Sequence, residues 1–520
     1  MSKYLMAIDA GTGSVRAVLF DLEGNQIGCV QKEWDHLEDP KYPGSMNFDW
    51  THNWELARNC ISGVIKETAI SSTDIAAVST TCMREGIVLY DAEGKEIWAC
   101  ANVDARANDE VIELIEKYPG LEKEIYLKSG QSYALDALPR LLWVKNKLPD
   151  VYEKIAKIGM FNDWLIYKLT GRLAVEPSNG STTGLMDLKT RNWDPEIARS
   201  CGLRSDIFPD VLESGEVIGV VNEVGASDTG LATGTPVVVG GGDAQLGCIG
   251  VGAVEPGQAA IFGGSFWQYE LNTGEAKTDS QCRVRVNCHA VKDVWQYEAL
   301  AFKPGLVMRW FRDGFCQLEK EEAAKSGRDV YDIMNEKAKD IPAGCYGMMC
   351  TFSDVMNFIS WKHASPTFTN FELEPDRYNK YTFYRAILEN TALVTKGHVD
   401  LVYECTGIRP ESVVFASGAS KSPLWSQILA DVLGIKVCVP KVKEATALGA
   451  AIIAGYGVGI YKDIARSARS LAQIENTYEP NMDNHQIYLK MYDKWRALYK
   501  EQLAIANSGL ARHMWSAPGV

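Results

Sequence analysis

Asp9-Ala10-Gly11-Thr12-Gly13-Ser14-Val15-Arg16 sets an acid at the end of an apolar run and follows it with a tight glycine turn. Glycine lets backbone N–H groups approach phosphate oxygens closely. Thr12 and Ser14 add hydroxyl donors, and Asp9 is suited to hold Mg²⁺ directly or through water. The segment is not a Walker A loop, which needs Gly-x-x-x-x-Gly-Lys-Ser/Thr ahead of a helix. A plain hairpin turn is the competing reading. A second candidate is Val237-Val238-Val239-Gly240-Gly241-Gly242-Asp243-Ala244-Gln245. Here a β-branched run ends in glycines that leave room for a substrate against the backbone. Asp243 then stands at a strand end, where it can accept the proton of an attacking hydroxyl as a general base. An Asp capping the following helix has the same local signature.

Other segments carry weaker signals. Ser417-Gly418-Ala419-Ser420-Lys421-Ser422 follows a strand and opens a helix, as a nucleotide-receiving turn or an ordinary strand–helix connection. Arg84-Glu85 can hydrogen-bond several hydroxyls of a polyol, or form a surface ion pair. Asp104 and Asp163 read as cavity-lining acids or as helix caps. Glu444-Ala-Thr-Ala-Leu-Gly-Ala-Ala451 reads as tight helix packing. Cys282, Cys288 and His289 match no common zinc spacing, and they read as buried groups. His289 and His363 read as structural.

The elements that must position these groups alternate short β-branched runs with longer helical stretches, which indicates α/β architecture. Met6–Ile8, Val15–Phe20, Ile75–Ser79, Ile87–Tyr90 and Pro236–Gly240 read as strands. Residues 51–69 and 138–147 carry helical periodicity. Val254-Glu255-Pro256-Gly257-Gln258 breaks both helix and strand, so we expect domains at 1–255 and 256–520. After that break a strand at Ala259–Phe262, a Gly263-Gly264-Ser265 turn and a strand at Phe266–Leu271 repeat the N-terminal strand–turn–strand. This spacing is what a duplicated domain gives.

A chain of 520 residues exceeds what one core usually organises. The net charge of −14 argues against a general nucleic-acid binder, which needs a basic surface. Phosphate ligands remain compatible with it, because N–H groups and Mg²⁺ can hold them. Thirteen cysteines without framework spacing fit a reducing, cytoplasmic location. The N-terminus lacks a signal-peptide pattern. The longest apolar run, Ala447 to Ile460, is interrupted by glycines, so no membrane span is expected.

Taken together and in order, these segments resemble the FGGY carbohydrate kinases. The resemblance also rests on Asp104-x-Arg106, Asp163-Trp-Leu-x-Tyr-Lys-Leu-Thr-Gly171 and Glu444-Ala-Thr-Ala-Leu-Gly449. It implies two actin-like (ribonuclease H-like) α/β domains with ATP and a small hydroxylated substrate in the cleft between them. It implies Asp243 as catalytic base, with Arg84, Glu85, Asp243 and Gln245 on the substrate. It implies Gly11, Thr12, Gly13, Ser14, Arg16, Gly263, Gly264, Ser265, Gly305, Gly418 and Ser422 on ATP, and Asp9 in the Mg²⁺ region.

Met83–Tyr90, Trp98–Arg106, Val175–Asn179 and Leu306–Asp313 look like a narrower branch of that family. That branch acts on the terminal hydroxyl of a linear five-carbon dihydroxydione. Leu135 stands where glycerol-type kinases offer an aromatic hydroxyl, and Arg140 stands where many members have Lys. The first speaks against glycerol, and the second leaves the substrate open. A kinase for xylulose or a related ketose, an actin-like ATPase without a sugar acceptor, and a silent binding protein on a kinase fold are the competing readings.

Overall fold

A computed structural model describes residues 3–134, 136–358, 361–442, 444–517 and 519. Leu135 therefore lies outside the described residues. Two large sheets flank the break at 254–258. The first has the strand order Gln26–Glu33, Ser14–Asp21, Tyr4–Ala10, Ile75–Cys82, Pro236–Gly242, Val217–Val220. Its successive pairings are antiparallel, antiparallel, parallel, parallel and antiparallel.

The second sheet repeats this pattern with Trp295–Ala301, Trp267–Thr273, Ala259–Gly263, Ser412–Ala416, Lys436–Pro440 and Ile474–Tyr478. Arg285–Cys288 is added on its outer edge. The repeated strand–turn–strand of the sequence is thus the leading part of a repeated sheet. Ala10, next to Asp9, and Gly263 are the last paired residues of corresponding strands. The near-continuous burial of Tyr4–Ala10, Ile75–Cys82 and Pro236–Gly242 follows from helices covering both faces.

Helix boundaries follow local chemistry. Asp49 caps Trp50–Thr68 by accepting the N–H groups of Thr51 and His52, and left-handed Ala69 ends that helix. Ser422 caps Pro423–Leu433, with proline at the first helical position and Gly434 after the end.

The two halves interlock. Helix Ala445–Gly457 belongs to the C-terminal part of the chain, yet it packs on the first sheet against Leu5, Ala7, Val18, Ala77 and Val238. It also crosses helix Asp243–Gly250. A Cβ on Gly449 would stand 1.9 Å from Leu246 O, and one on Gly250 would stand 1.8 Å from Ala445 O. Only glycine allows this approach, which is the tight packing read from 444–451. No helix of the described residues is long and apolar enough to cross a membrane.

Candidate functional site

The strand end at Asp9 leads into a turn whose carbonyls are already taken. Trp34 Nε1 donates to Gly11 O at 3.0 Å and lies 3.2 Å from Thr12 O. His36 Nε2 lies 2.7 Å from Thr12 O, and Trp34 N donates to Gly13 O at 3.2 Å. Among the described residues, neither Thr12 nor Gly13 donates its N–H to another group. A Cβ on Gly13 would meet nothing within 4 Å. The turn therefore offers bare donors and open space, the arrangement an anion needs.

Asp9 is buried beside Arg16, with Arg16 Nε 3.4 Å from Asp9 Oδ2. Arg16 is also hydrogen-bonded to Glu444, from the interlocking helix start. Burial raises the Asp9 carboxyl to about 6; Arg16 opposes the shift, while Asp243 and Glu444 add to it. A buried hard oxygen donor among other carboxylates is a fitting place for a divalent cation. Among the described residues no group of three or more His, Cys, Asp or Glu forms a protein-only metal cage. A Mg²⁺ ion shared with phosphate oxygens needs only one or two carboxylates.

Asp243 is the first residue of helix Asp243–Gly250, directly after the glycine strand end. The helix is capped at Gly242, and the Asp243 carboxylate receives only the adjacent Ala244 N–H, at 2.8 Å. This is not a side-chain N-cap, which bonds further along the first turn. The Asp243 side chain is 39% exposed and opens onto a cavity of about 570 Å³. Burial raises its pKa, with Glu85 adding to the rise and Arg84 opposing it.

Arg84, Glu85, Thr12 and Asp243 share that cavity with Asn102, Phe266, Gln268, Arg285, Phe302 and Trp515. Arg84 Nε lies 3.3 Å from Asp243 Oδ1, and its other end is ion-paired with Glu298. Glu85 adopts a left-handed backbone (φ 63°) and lies 2.5 Å from Arg285 Nη1. Arg140 fixes these loops from behind. It donates to the carbonyls of Glu85, Asn102 and Asp104, the last two at 2.7 and 3.0 Å. Gln245, two residues beyond Asp243, is fully buried and does not line the cavity.

Gly263, Gly264, Ser265, Gly305, Gly418 and Ser422 all line a second cavity of about 480 Å³. Arg309, Arg312, Asp332, Asn335, Lys421 and Tyr384 complete it. Gly305 opens helix Pro304–Phe315, where a Cβ would stand 2.1 Å from Gly264 O. The Gly264 turn and this helix start can thus touch only through glycine. Ser265 and Gly305 line this cavity while Phe266 and Lys303 line the other, so the two adjoin along the chain. Lys303 (φ 61°) joins Glu85 as a non-glycine residue of positive φ lining the first cavity, and Ser417 (φ 76°) directly precedes Gly418 of the second; such strain concentrates around functional segments.

Several sequence candidates serve structure. Asp104 accepts the Met46 N–H at 2.6 Å and pairs with Arg106, which lies over the rings of Trp98 and Trp143. Asp163 accepts the Met160 N–H at 2.8 Å and is fully buried. His289 and His363 are buried, and burial lowers each to about 3.

Sequence reasoning missed a buried charge cluster behind Arg84. Glu270 and Glu298 face each other across two strands, both fully buried. Burial opposes the charge on Glu298, but Arg84 and Arg285 together hold its carboxyl below the usual value; burial and the Glu298 charge push the Glu270 carboxyl well above it. The signal was the tetrapeptide Trp-Gln-Tyr-Glu, present at both 267–270 and 295–298 with its acid inside an apolar strand.

The site thus combines a turn with free N–H groups and two adjoining cavities, one of them opening onto Asp243. Comparison with known proteins gives its class. Residues 4–250 match the N-terminal domain of the FGGY family of carbohydrate kinases, and residues 272–458 match the C-terminal domain. The chain belongs to this family of kinases, phosphotransferases with an alcohol acceptor.

Among its relatives, the autoinducer-2 kinase of Yersinia enterocolitica is 50% identical over 99% of this chain and 98% of its own length. The autoinducer-2 kinase of Salmonella typhimurium is 49% identical over the same shares. Among solved structures, xylulose kinase from Rhodospirillum rubrum has a TM-score of 0.84 at 23% identity, over 97% of this chain and 99% of that one. Glycerol kinase from Plasmodium falciparum with ADP has a TM-score of 0.83 at 22% identity, over 96% and 98%. These structures share the two-domain α/β fold.

Proposed function

We propose that this chain is an ATP-dependent kinase that phosphorylates the terminal hydroxyl of the linear autoinducer-2 precursor, 4,5-dihydroxypentane-2,3-dione, in quorum sensing. The observation that carries the reaction is the position of Asp243. It opens onto one cavity beside Arg84 and Glu85, and that cavity adjoins a second, glycine-lined one. The near full-length likeness to autoinducer-2 kinases carries the substrate.

Arg84 and Glu85 hold the acceptor's hydroxyls. Asp243 accepts the proton of the terminal hydroxyl as its oxygen bonds to the γ-phosphorus of ATP. The bond from that phosphorus to the bridging oxygen breaks, and ADP leaves with the electron pair. Positioning and charge neutralisation supply most of the rate in this chemistry. The turn at 11–14, through the free N–H groups of Thr12 and Gly13, the turn at 263–265 and Arg16 face the phosphates. Gly305, Gly418 and Ser422 take the nucleoside side. Mg²⁺, when bound, neutralises charge on the phosphate oxygens, and Asp9 is the residue that would hold it. Exclusion of water by closure of the halves protects ATP from hydrolysis.

In this reading residues 1–255 supply Asp243, Arg84, Glu85 and the 11–14 turn, while 256–520 supply the nucleotide cavity, the 263–265 turn and the remaining wall of the acceptor cavity. A cytoplasmic location fits the unpaired thiols, all buried except the half-buried Cys29 and Cys438. An acceptor panel tests the proposal. ADP release with ATP, Mg²⁺ and the dihydroxydione should exceed that with D-xylulose or glycerol by at least about tenfold in kcat/KM. A preference for xylulose would overturn the substrate, and ADP release independent of any acceptor would overturn the kinase reading.

A further inference from the structure

The family match ends at residue 458, yet the acceptor cavity is also walled by Trp515, Ser516 and Ala517. Strand His513–Ser516 returns to the cavity after the long helix Met482–Asn507, and it pairs antiparallel with Lys362–Ala364. The Trp515 indole lies on the Phe302 ring, with centroids 4.0 Å apart and planes 17° from parallel. Trp361 meets it edge-on at 5.6 Å.

The backbone around this indole is pinned on both sides. Ala517 N donates to Trp361 O at 2.9 Å, and Lys303 Nζ donates to Met514 O at 3.3 Å. Gly519 N donates to Asn108 Oδ1, from the N-terminal half, at 2.7 Å. The aromatic wall is therefore held in place before any ligand arrives, which lowers the ordering cost of binding.

The cavity has two chemical characters. Arg84, Glu85 and Asp243 offer charge and hydrogen bonds, while Trp515, backed by the buried Phe302 ring, offers flat apolar surface. An acceptor with hydroxyls at one end and a planar methyl diketone at the other matches both. A ketose carries hydroxyls along its whole length, and those set against the indole would lose their water partners without replacement.

We propose that Trp515 is a specificity-determining residue that packs on the methyl-diketone end of the acceptor. This inference rests on the substrate reading above.

The test uses the full chain. Trp515→Ala should raise KM for the dihydroxydione about tenfold or more, with kcat within about threefold and KM for ATP unchanged. Trp515→Phe should recover most of the loss, because it keeps an aromatic face. Any residual turnover of D-xylulose should fall less than that of the dihydroxydione. Thermal melts of the three proteins control for folding, and Trp515→Phe remains informative if the alanine variant melts early. Absence of dihydroxydione turnover in the wild type sinks the substrate reading. Turnover in the wild type with an unchanged acceptor KM in Trp515→Ala, or a parallel rise in KM for ATP, overturns the role of Trp515.

Discussion

Arg84, just after strand Ile75–Cys82 of the first sheet, is ion-paired with Glu298, in strand Trp295–Ala301 of the second. The guanidinium that meets the acceptor cavity is thus held by a carboxylate from the other half of the chain. Arg84 is 5% exposed and Glu298 fully buried. Breaking such a pair leaves an uncompensated buried charge, at a cost of roughly 3–5 kcal/mol. Glu298→Gln should lower the unfolding free energy by about that amount and raise the acceptor KM about tenfold or more. Glu270→Gln should cost far less in stability, because burial and Glu298 already push the Glu270 carboxyl toward its neutral form. Denaturant unfolding of both variants reads the difference, and equal losses would contradict this assignment of charge.

Asp243→Asn keeps the shape of the side chain and removes its basicity. We expect kcat to fall about 10²–10⁴-fold, the usual contribution of a positioned general base. KM for ATP should change little. Steady-state kinetics with circular dichroism as a folding control decide this. Near wild-type kcat in a folded variant would remove Asp243 from the mechanism.

Asp9 gives a pH dependence with opposite signs for stability and activity. Its carboxyl sits at about 6 in the fold against an ordinary 3.8. The folded chain therefore binds more protons between those values, and the contribution of Asp9 to stability falls as pH rises through that window. Asp9→Asn should flatten this dependence and raise stability at pH 8, by up to roughly 3 kcal/mol. The ionised form is the one that can serve Mg²⁺. The wild-type kcat/KM for ATP should accordingly decline as pH falls through about 6, and Asp9→Asn should be nearly inactive at every pH. Chemical denaturation and initial rates across pH 5–8 check both.

Gly305→Ala should act on the nucleotide alone. The added methyl would stand 2.1 Å from Gly264 O, so the 263–265 turn must shift. We expect KM for ATP to rise about tenfold or more, with the acceptor KM within about twofold. A matched rise in both would show that the two cavities do not divide the work as assigned.

Much of this arrangement was legible because local chemistry announces it. The Gly11–Gly13 and Gly263–Gly264 turns follow short apolar strands, and their repetition matches the repeated sheet order. Arg84 and Glu85 are adjacent, so one motif delivered both. Asp243 carries the local signature of both a base and a cap, and only the helix start at Gly242 removes the cap reading.

Long-range pairings were not legible. Glu298, Arg285 and Arg140 act on Arg84, Glu85 and the 102–104 loop from distant points in the chain, and no local spacing encodes those contacts. The small residues of 445–457 signalled close packing, but not that the partner would be the first sheet. Trp515 lies past the recognisable motifs and reaches the cavity only through the strand pairing of 513–516 with 362–364.

The most direct test follows the phosphoryl group itself. The wild-type protein is incubated with ATP, Mg²⁺ and 4,5-dihydroxypentane-2,3-dione, ADP is counted, and the product is assigned by phosphorus NMR with proton coupling. The account predicts one phosphomonoester on the terminal carbon per ADP formed, appearing at least about a hundredfold more slowly with Asp243→Asn. Phosphate released to water, or a product phosphorylated elsewhere on the acceptor, would contradict it.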